Sequence, residues 1–305
     1  MPTASRNHIK ESKAICKMPA VSIVTTTFNR TDYLRQAIQS ARSQTFRDFE
    51  LLICDDGGLE ETKQLCESFH DSRILHTVNP ARLGIAMNTY SGIQRARSDV
   101  IAFLNDDDRW TNNFLARCAT PLLDDVAVNL AFCDHYLIDS NGERLPEATE
   151  ANTVAYGRKG MVAGMIADPV RLMAQLSVPL AMATVFRKSK VDWTRYSRQV
   201  EGAYDSYIAY SLIRGGAQVI YVPDRLTEYR AHGGGASAEF RRPTTEGLAY
   251  VHGLMLHDPA YKSVRNEIRR KYLGLEKHLV KLSLTELDIP STVKHCMRFA
   301  RHAIN

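Results

Sequence analysis

The chain has 305 residues, 44% hydrophobic and 24% charged, with a formal net charge of +5. These values are ordinary for a globular protein and suit one large α/β domain, alone or with an appendage. Six scattered cysteines form no CxxC pair, and no stretch approaches the roughly 18 apolar residues of a membrane span, which argues against a disulfide framework, a zinc site and an integral membrane protein.

Residues 1–18 are polar and basic and lack the apolar centre of a secretion signal, so they read as a flexible arm. A cytoplasmic setting is expected, soluble or peripheral at the inner face of the membrane. Residues 20–26 form a β-rich run that Phe28-Asn29-Arg30 breaks. Residues 31–43 follow, with Leu34, Ala37, Ile38 and Ala41 at helical spacing and Thr31 or Asp32 as the cap. A second strand over 49–54 ends in Asp55-Asp56-Gly57-Gly58. A helix over 60–69, a strand over 73–78, a helix over 84–97 and a strand over 100–104 continue the alternation. Strands alternating with helices predict parallel βαβ units.

The second half is less regular. A strand over 129–138 and a turn at 140–143 are followed by an ambiguous stretch over 144–180. A short strand over 183–186, a helix over 206–214 ended by Gly215-Gly216 and a strand over 218–222 come next. From residue 245 the pattern is helical, broken at Pro259 and Pro290.

Two of these strands end in acid. The fourth runs into Asn105-Asp106-Asp107-Asp108, and the second into Asp55-Asp56. Adjacent carboxylates repel one another, and the carboxyl ends of parallel strands are where open α/β sheets bind ligands. Clustered hard oxygen donors suit Mg²⁺ or Mn²⁺, and a divalent ion there grips a diphosphate. Each cluster also has an ordinary structural reading: a solvated turn with Asp108 or Asn112 as a helix cap, and an Asx-turn with Gly57-Gly58. A carboxylate facing a uracil or thymine ring accepts the ring N–H, a role open to Asp55 or Asp56.

Taken together, Val21-Ser-Ile-Val-Thr-Thr-Thr-Phe-Asn-Arg30, Ser43-Gln-Thr-Phe-Arg-Asp-Phe-Glu50, Ile53-Cys-Asp-Asp-Gly57 and Leu104-Asn-Asp-Asp-Asp-Arg-Trp110 resemble inverting family-2 glycosyltransferases with the GT-A fold. The resemblance covers about residues 19–235. It implies a Rossmann-like, mostly parallel central sheet flanked by helices, with a nucleotide-binding half over 19–125, an acceptor-binding half over 126–242 and a helical C-terminal extension over 243–305. It implies that Thr25, Phe28 and Arg30 line the nucleotide pocket and that Asp55 or Asp56 contacts the base. Asn105, Asp106 and Asp107 align with the DxD motif, Asp106 near the ribose and Asp107 on the metal. The chain departs from the family in carrying Asn105 where the first aspartate is usual. Arg82, Gly84 and Asn88 fall in the segment before that strand, where Met87 stands in place of a more usual arginine. Asp205 matches the family's second acidic motif and is the expected catalytic base, with Glu201 as substitute. Inverting transfer needs such a carboxylate to take the acceptor proton. His232, before three glycines, is a further metal or phosphate ligand on this reading, and Arg109 and Trp110 are positioning residues.

The implied activity is metal-assisted transfer from a UDP- or dTDP-sugar to a hydroxyl acceptor: a glycan, a lipid-linked sugar or a natural product. Two alternatives stay open. One is a degenerate, non-catalytic sugar-nucleotide-binding protein, which Asn105 permits. The other is a sugar nucleotidyltransferase, disfavoured because Thr25 to Arg30 contains no glycine.

The tail carries the charge. Residues 261–305 hold ten Lys/Arg and four Asp/Glu, a net +6 that leaves −1 for the rest. Val293, Cys296, Met297 and Ala300 share one helical face, with Lys294, Arg298 and Arg301 elsewhere. The expectation is that this face packs on its own domain or on a partner subunit; peripheral contact with an anionic membrane is the alternative. The tail lacks aromatic interleaving, so nucleic acid is not an expected partner.

Overall fold

The computed structural model describes residues 18–175, 178, 181–214, 216–231 and 241–303. The arm over 1–17 and His232 lie outside the described residues. The first half is the expected alternation: β1 (Val21–Thr27), α1 (Thr31–Arg42), β2 (Phe49–Asp55), α2 (Glu60–Ser68), β3 (Ile74–Val78), α3 (Ile85–Arg95) and β4 (Val100–Phe103). These strands pair in parallel in the order β3-β2-β1-β4. Successive side chains point to opposite faces, and both faces are covered. On one face Ile23, Leu51 and Ile53 pack with Leu34, Ile38 and Ala41 of α1. On the other, Val24, Leu52 and Cys54 pack with Ala86 and Ile93 of α3. Burial on both faces explains why these strands read as apolar runs rather than alternating ones.

The second half comprises β5 (Arg109–Trp110), α4 (Phe114–Cys118), α5 (Thr120–Asp124), β6 (Val128–Ile138), α6 (Pro146–Ala155), β7 (Gly164–Met165), α7 (Pro169–Ala174), β8 (Thr184–Arg187), α8 (Tyr204–Ile213) and β9 (Gln218–Arg230). It extends the same sheet as β4-β8-β6-β9-β5, with β7 on β9. β8 is antiparallel to β4 and β6, β6 and β9 are parallel, and β5 and β7 run antiparallel to β9. The sheet is therefore parallel from β3 to β4 and mixed beyond β4. Antiparallel neighbours need no crossover helix, which is why the βαβ rhythm fades after residue 125. β9 runs past the expected end at residue 222. Pro223 falls where the register between β6 and β9 shifts, so its missing N–H interrupts an already broken ladder.

Three helices close the chain: α9 (Arg241–His257), α10 (Arg265–Thr285) and α11 (Ile289–Ala303). Pro259 separates α9 from α10 as expected, whereas Pro290 sits in the first turn of α11, a position that tolerates its missing N–H. Met255, Tyr261, Ile268 and Leu279 share one core with Phe103, Phe132 and Phe186 of the sheet. Tyr261 and Tyr210 stack with centroids 5.5 Å apart, and the Tyr261 hydroxyl donates to the Tyr210 carbonyl at 2.9 Å.

One arm of the expectation about the tail, packing on its own domain, is overturned. The apolar face of α11 does not pack on its own domain. Val293, Cys296 and Met297 are exposed, while His295 is the residue buried against α10, its Nδ1 2.6 Å from the equally buried Glu276 Oε2. A strong polar pair inside the bundle has set the rotation of the helix.

Two expected outcomes follow from the packing. A Cβ on Gly92 of α3 would stand 2.6 Å from Val24 Cγ1 and 2.7 Å from Cys54 Sγ. Gly92→Ala should therefore destabilise by about 1–3 kcal/mol in urea unfolding, an overpacking cost. Burial, aided by Arg158, pushes His135 down to about 4, and burial likewise pushes His252 down to about 4. Both are neutral in the fold but accept a proton near pH 6.5 once unfolded. Stability should fall as pH drops from about 6.5 to 4, and the slope of Tm against pH should flatten in His252→Gln.

Candidate active site

The two acidic strand ends lie at the same carboxyl edge of the sheet, on either side of β1, but their carboxylates are not equivalent. Asp55 is fully buried. Its Oδ1 accepts the N–H groups of Gly57 and Gly58 at 2.8 and 3.0 Å, and His76 Nε2 lies 3.1 Å from Oδ2. Burial alone would raise its pKa, but His76 and the two glycine amides hold it below the usual carboxylate range. This is the Asx-turn of the structural reading. Asp56 holds the next loop: it accepts from Asn79 Nδ2 at 3.0 Å, from the Leu83 N–H at 2.8 Å and from the Gly84 N–H at 2.9 Å. Asn88 ties the same loop to β2, with Nδ2 donating to the Cys54 carbonyl at 2.8 Å and Oδ1 accepting from Asn79 at 2.8 Å. Beside this loop the Arg82 guanidinium stacks 3.9 Å from the centre of the half-exposed Phe28 ring, making a flat wall.

Thr25 does not line the pocket. It is fully buried, and its Oγ1 has no hydrogen-bond partner among the described residues. Thr27, two residues further along the same face, reaches the acidic cluster instead and donates to Asp106 Oδ2 at 2.8 Å. Arg30 closes over the cluster, donating to Asp107 Oδ2 at 3.0 Å and lying 3.7 Å from Asp106 Oδ1. Burial, then the neighbouring Asp107, pushes the Asp106 carboxyl up, while Arg30 and Thr27 oppose the shift. Asp108 turns inward. It is fully buried and accepts the Arg230 N–H at 2.9 Å and Asn105 Nδ2 at 2.8 Å. Burial and Asp107 push its carboxyl well up. It caps no helix, in contrast to the structural reading.

Asn105 is bonded on both sides: its Nδ2 serves Asp108, and its Oδ1 accepts the Tyr204 hydroxyl at 3.0 Å. Tyr204 opens α8, so the residue before Asp205 is bonded to the end of β4. Asp205 accepts the Ser206 N–H at 2.6 Å and lines a narrow, mostly apolar cavity with Phe103, Leu130, Thr184, Phe186 and Ile208. Glu201 faces the loop at Gly84. A Cβ on Gly84 would stand 3.5 Å from Glu201 Oε1, and Arg198 Nη1 donates to the Leu83 carbonyl at 2.7 Å. Glu201 has φ 29° and ψ −121°, a strained backbone for a residue with a side chain. Burial raises its pKa, with Arg198 opposing.

Arg230 is the residue that pattern reading missed, although its neighbour His232 was singled out. Its Nε donates to the Asp107 carbonyl at 2.8 Å, its Nη1 to the Asp139 carbonyl at 3.1 Å and its Nη2 to Gln36 Oε1 at 2.9 Å, and its guanidinium lies 4.5 Å from the centre of the Tyr33 ring. An arginine closing the last strand before a glycine run was the available signal. Arg109 and Trp110 are structural. Arg109 Nε donates to Glu228 at 2.8 Å, and Trp110 Nε1 donates to the Met182 carbonyl at 2.8 Å.

Among the described residues no group of three His, Cys, Asp or Glu side chains is arranged to hold a metal ion. What the β4 end offers is the Asp106 and Asp107 carboxylates. That set does not fit an all-protein cage, but it does fit Mg²⁺ or Mn²⁺ held by one or two carboxylates together with substrate phosphates.

A family model described as glycosyl transferase family 2 matches residues 22–175. The chain belongs to glycosyltransferase family 2. A Campylobacter jejuni relative, GalNAc(5)-diNAcBac-PP-undecaprenol beta-1,3-glucosyltransferase, is 28% identical over 189 residues, 61% of this chain and 57% of that protein. The chain spans about half the length of the first curated relatives it matches. Among solved structures, S. aureus TarS 1-349 in complex with UDP-GlcNAc is similar with a TM-score of 0.67 at 13% identity, over 92% of this chain and 81% of that one. A mannosyltransferase from Pyrobaculum calidifontis, in complex with GDP-Man and Mn2+, has a TM-score of 0.62 at 14% identity, over 94% and 85%. At such identities the likeness concerns the fold, which is the GT-A-like one the motifs implied.

The bonding of Asn105 yields an expected outcome. Asn105→Asp would remove the donor to Asp108 and set two carboxylates side by side in a buried site. It should lower stability by about 1–3 kcal/mol. Mn²⁺ affinity, read by calorimetry with UDP present, should not improve.

Proposed function

We propose that the chain is an inverting glycosyltransferase that moves a sugar from a UDP- or dTDP-sugar to a hydroxyl acceptor. The observation that carries this reading is the joining of the Asp106–Asp107 pair to the opening of α8 through Asn105 and Tyr204. Donor-holding and base-bearing elements are thereby one bonded unit. Asp107 and Asp106 would hold Mg²⁺ or Mn²⁺ with the donor diphosphate, and the bound ion supplies positive charge against the departing diphosphate. Arg30, at Asp107, is placed to meet the same phosphates. The base stacks on the wall of Phe28 and Arg82, whose position Asp55 and Asp56 fix through their turns. The acceptor hydroxyl attacks the anomeric carbon from the face opposite the diphosphate. As that C–O bond forms, the bond to the diphosphate breaks and the hydroxyl proton passes to a carboxylate.

Asp205 is the proposed base from its family position. The geometry favours a second reading, in which Glu201 takes the proton. Its carboxyl faces the Gly84 loop, its pKa is raised by burial, and its backbone is strained, whereas Asp205 lines an apolar cavity. The Asn105 amide is bonded to both Asp108 and Tyr204, which supports a working site over the non-catalytic alternative. The named acceptor of the Campylobacter jejuni relative is linked to undecaprenol diphosphate, which supports a lipid-linked glycan as acceptor here.

The test is a thermal-shift series with UDP, TDP, GDP and CDP, each with Mn²⁺, Mg²⁺ or EDTA, followed by transfer assays. A metal-dependent rise in Tm with a uridine or thymidine diphosphate is expected. No shift with any nucleotide for a folded sample would remove the donor assignment. Asp205→Asn should retain that shift and lose transfer by about 10²–10⁴-fold. The same loss in Glu201→Gln, with Asp205→Asn near wild type, would assign the base to Glu201.

A further inference from the structure

The tail is built inside out. On α11 the polar His295 points into the bundle, and the side open to solvent carries Ile289, Val293 and Met297, which are 61%, 52% and 67% exposed. Cys296 is exposed beside them. At 100° per residue these four fall within about a quarter-turn of the helix, so they form a continuous stripe. Leu284 and Leu287, 53% and 83% exposed, flank the junction with α10, where Glu286 and Asp288 are paired with Arg242. Scattered exposed apolar residues are unremarkable, but a stripe this long on one face is a contact surface.

Charge identifies what it contacts. Residues 289–303 contain Lys294, Arg298 and Arg301 and no acidic residue. Lys294 and Arg301 lie on the helix just to one side of the stripe, and exposed Lys277 and Lys281 precede Leu284 on α10 at i, i+4 and i+7. A second copy of the chain, meeting this one through a two-fold contact, would set the stripe's basic rim against its twin. An anionic lipid surface satisfies both features at once: it takes the apolar stripe among its acyl chains and the cations at its headgroups.

We infer that α11, with the end of α10, is a docking surface for an anionic lipid bilayer. This deepens the reading above, since an acceptor on a lipid diphosphate sits at such a surface. It is tested without donor or acceptor, so its failure leaves the transfer reading standing.

The experiment is co-sedimentation of the full-length chain with vesicles of phosphatidylcholine alone, or with a third of phosphatidylglycerol, at 50 and 500 mM salt. Binding to the anionic vesicles is expected to exceed binding to neutral ones at least tenfold and to weaken at high salt. Val293→Asp with Met297→Asp, both exposed positions far from the acidic cluster in sequence, should abolish it while leaving the Tm unchanged. A polarity-sensitive dye on Cys296, in a Cys16→Ser background, should shift to the blue on anionic vesicles only. Equal binding to both vesicle types, or binding unaffected by the double substitution, would overturn the inference. So would a concentration-dependent dimer, seen by analytical ultracentrifugation and lost in the double variant, without vesicle binding.

Discussion

Asp108 is the carboxylate on which the arrangement of the cleft depends. It lies with no exposed surface at the end of β4, where an unpaired charge would be costly. The backbone N–H of Arg230 and the amide of Asn105 satisfy it. The first belongs to β9, in the second half of the chain, and the second lies just past the end of β4. Asn105 passes the connection on to Tyr204 and α8. One buried acid thus fixes three elements, while its neighbours Asp106 and Asp107 are held by Thr27 and Arg30.

That arrangement gives a physical meaning to the chain's main departure from its family pattern. An aspartate at residue 105 would be a fourth acid in a row, placed against one already buried. An amide has both a donor and an acceptor, so it serves Asp108 on one side and the tyrosine hydroxyl on the other. The substitution removes a charge from the cluster and returns a rigid link between its two sides.

Much of the first half, from β1 to β4, was legible in the sequence, because βαβ units combine local periodicity with punctuation at strand ends. The acidic clusters were legible for the same reason. What remained hidden were contacts made across the sheet. Nothing local distinguishes Thr25 from Thr27, yet only the second reaches Asp106. Asp55 and Asp56 look like paired ligand acceptors in one dimension, but each takes three donors from the protein. Arg230 acquires its role only when β9 brings it beside a loop more than a hundred residues earlier. The rotation of α11 was hidden too, since the apolar stripe alone predicts the opposite burial and only the Glu276 partner on α10 reverses it.

The interior placement of Glu276 decides how the tail can be handled. Its carboxylate has no exposed surface and is met by His295 from α11, and Arg242 of α9 reaches Asp288 at the start of that helix at 2.9 Å. A chain shortened at residue 285 keeps the acid and discards its imidazole. Losing the partner of a buried polar group costs about 1–3 kcal/mol, a large fraction of an ordinary fold's margin. The last helix is therefore keyed to α10 through one buried side chain. Its outer face can be edited residue by residue, but cutting the helix away removes the partner of a buried acid on α10.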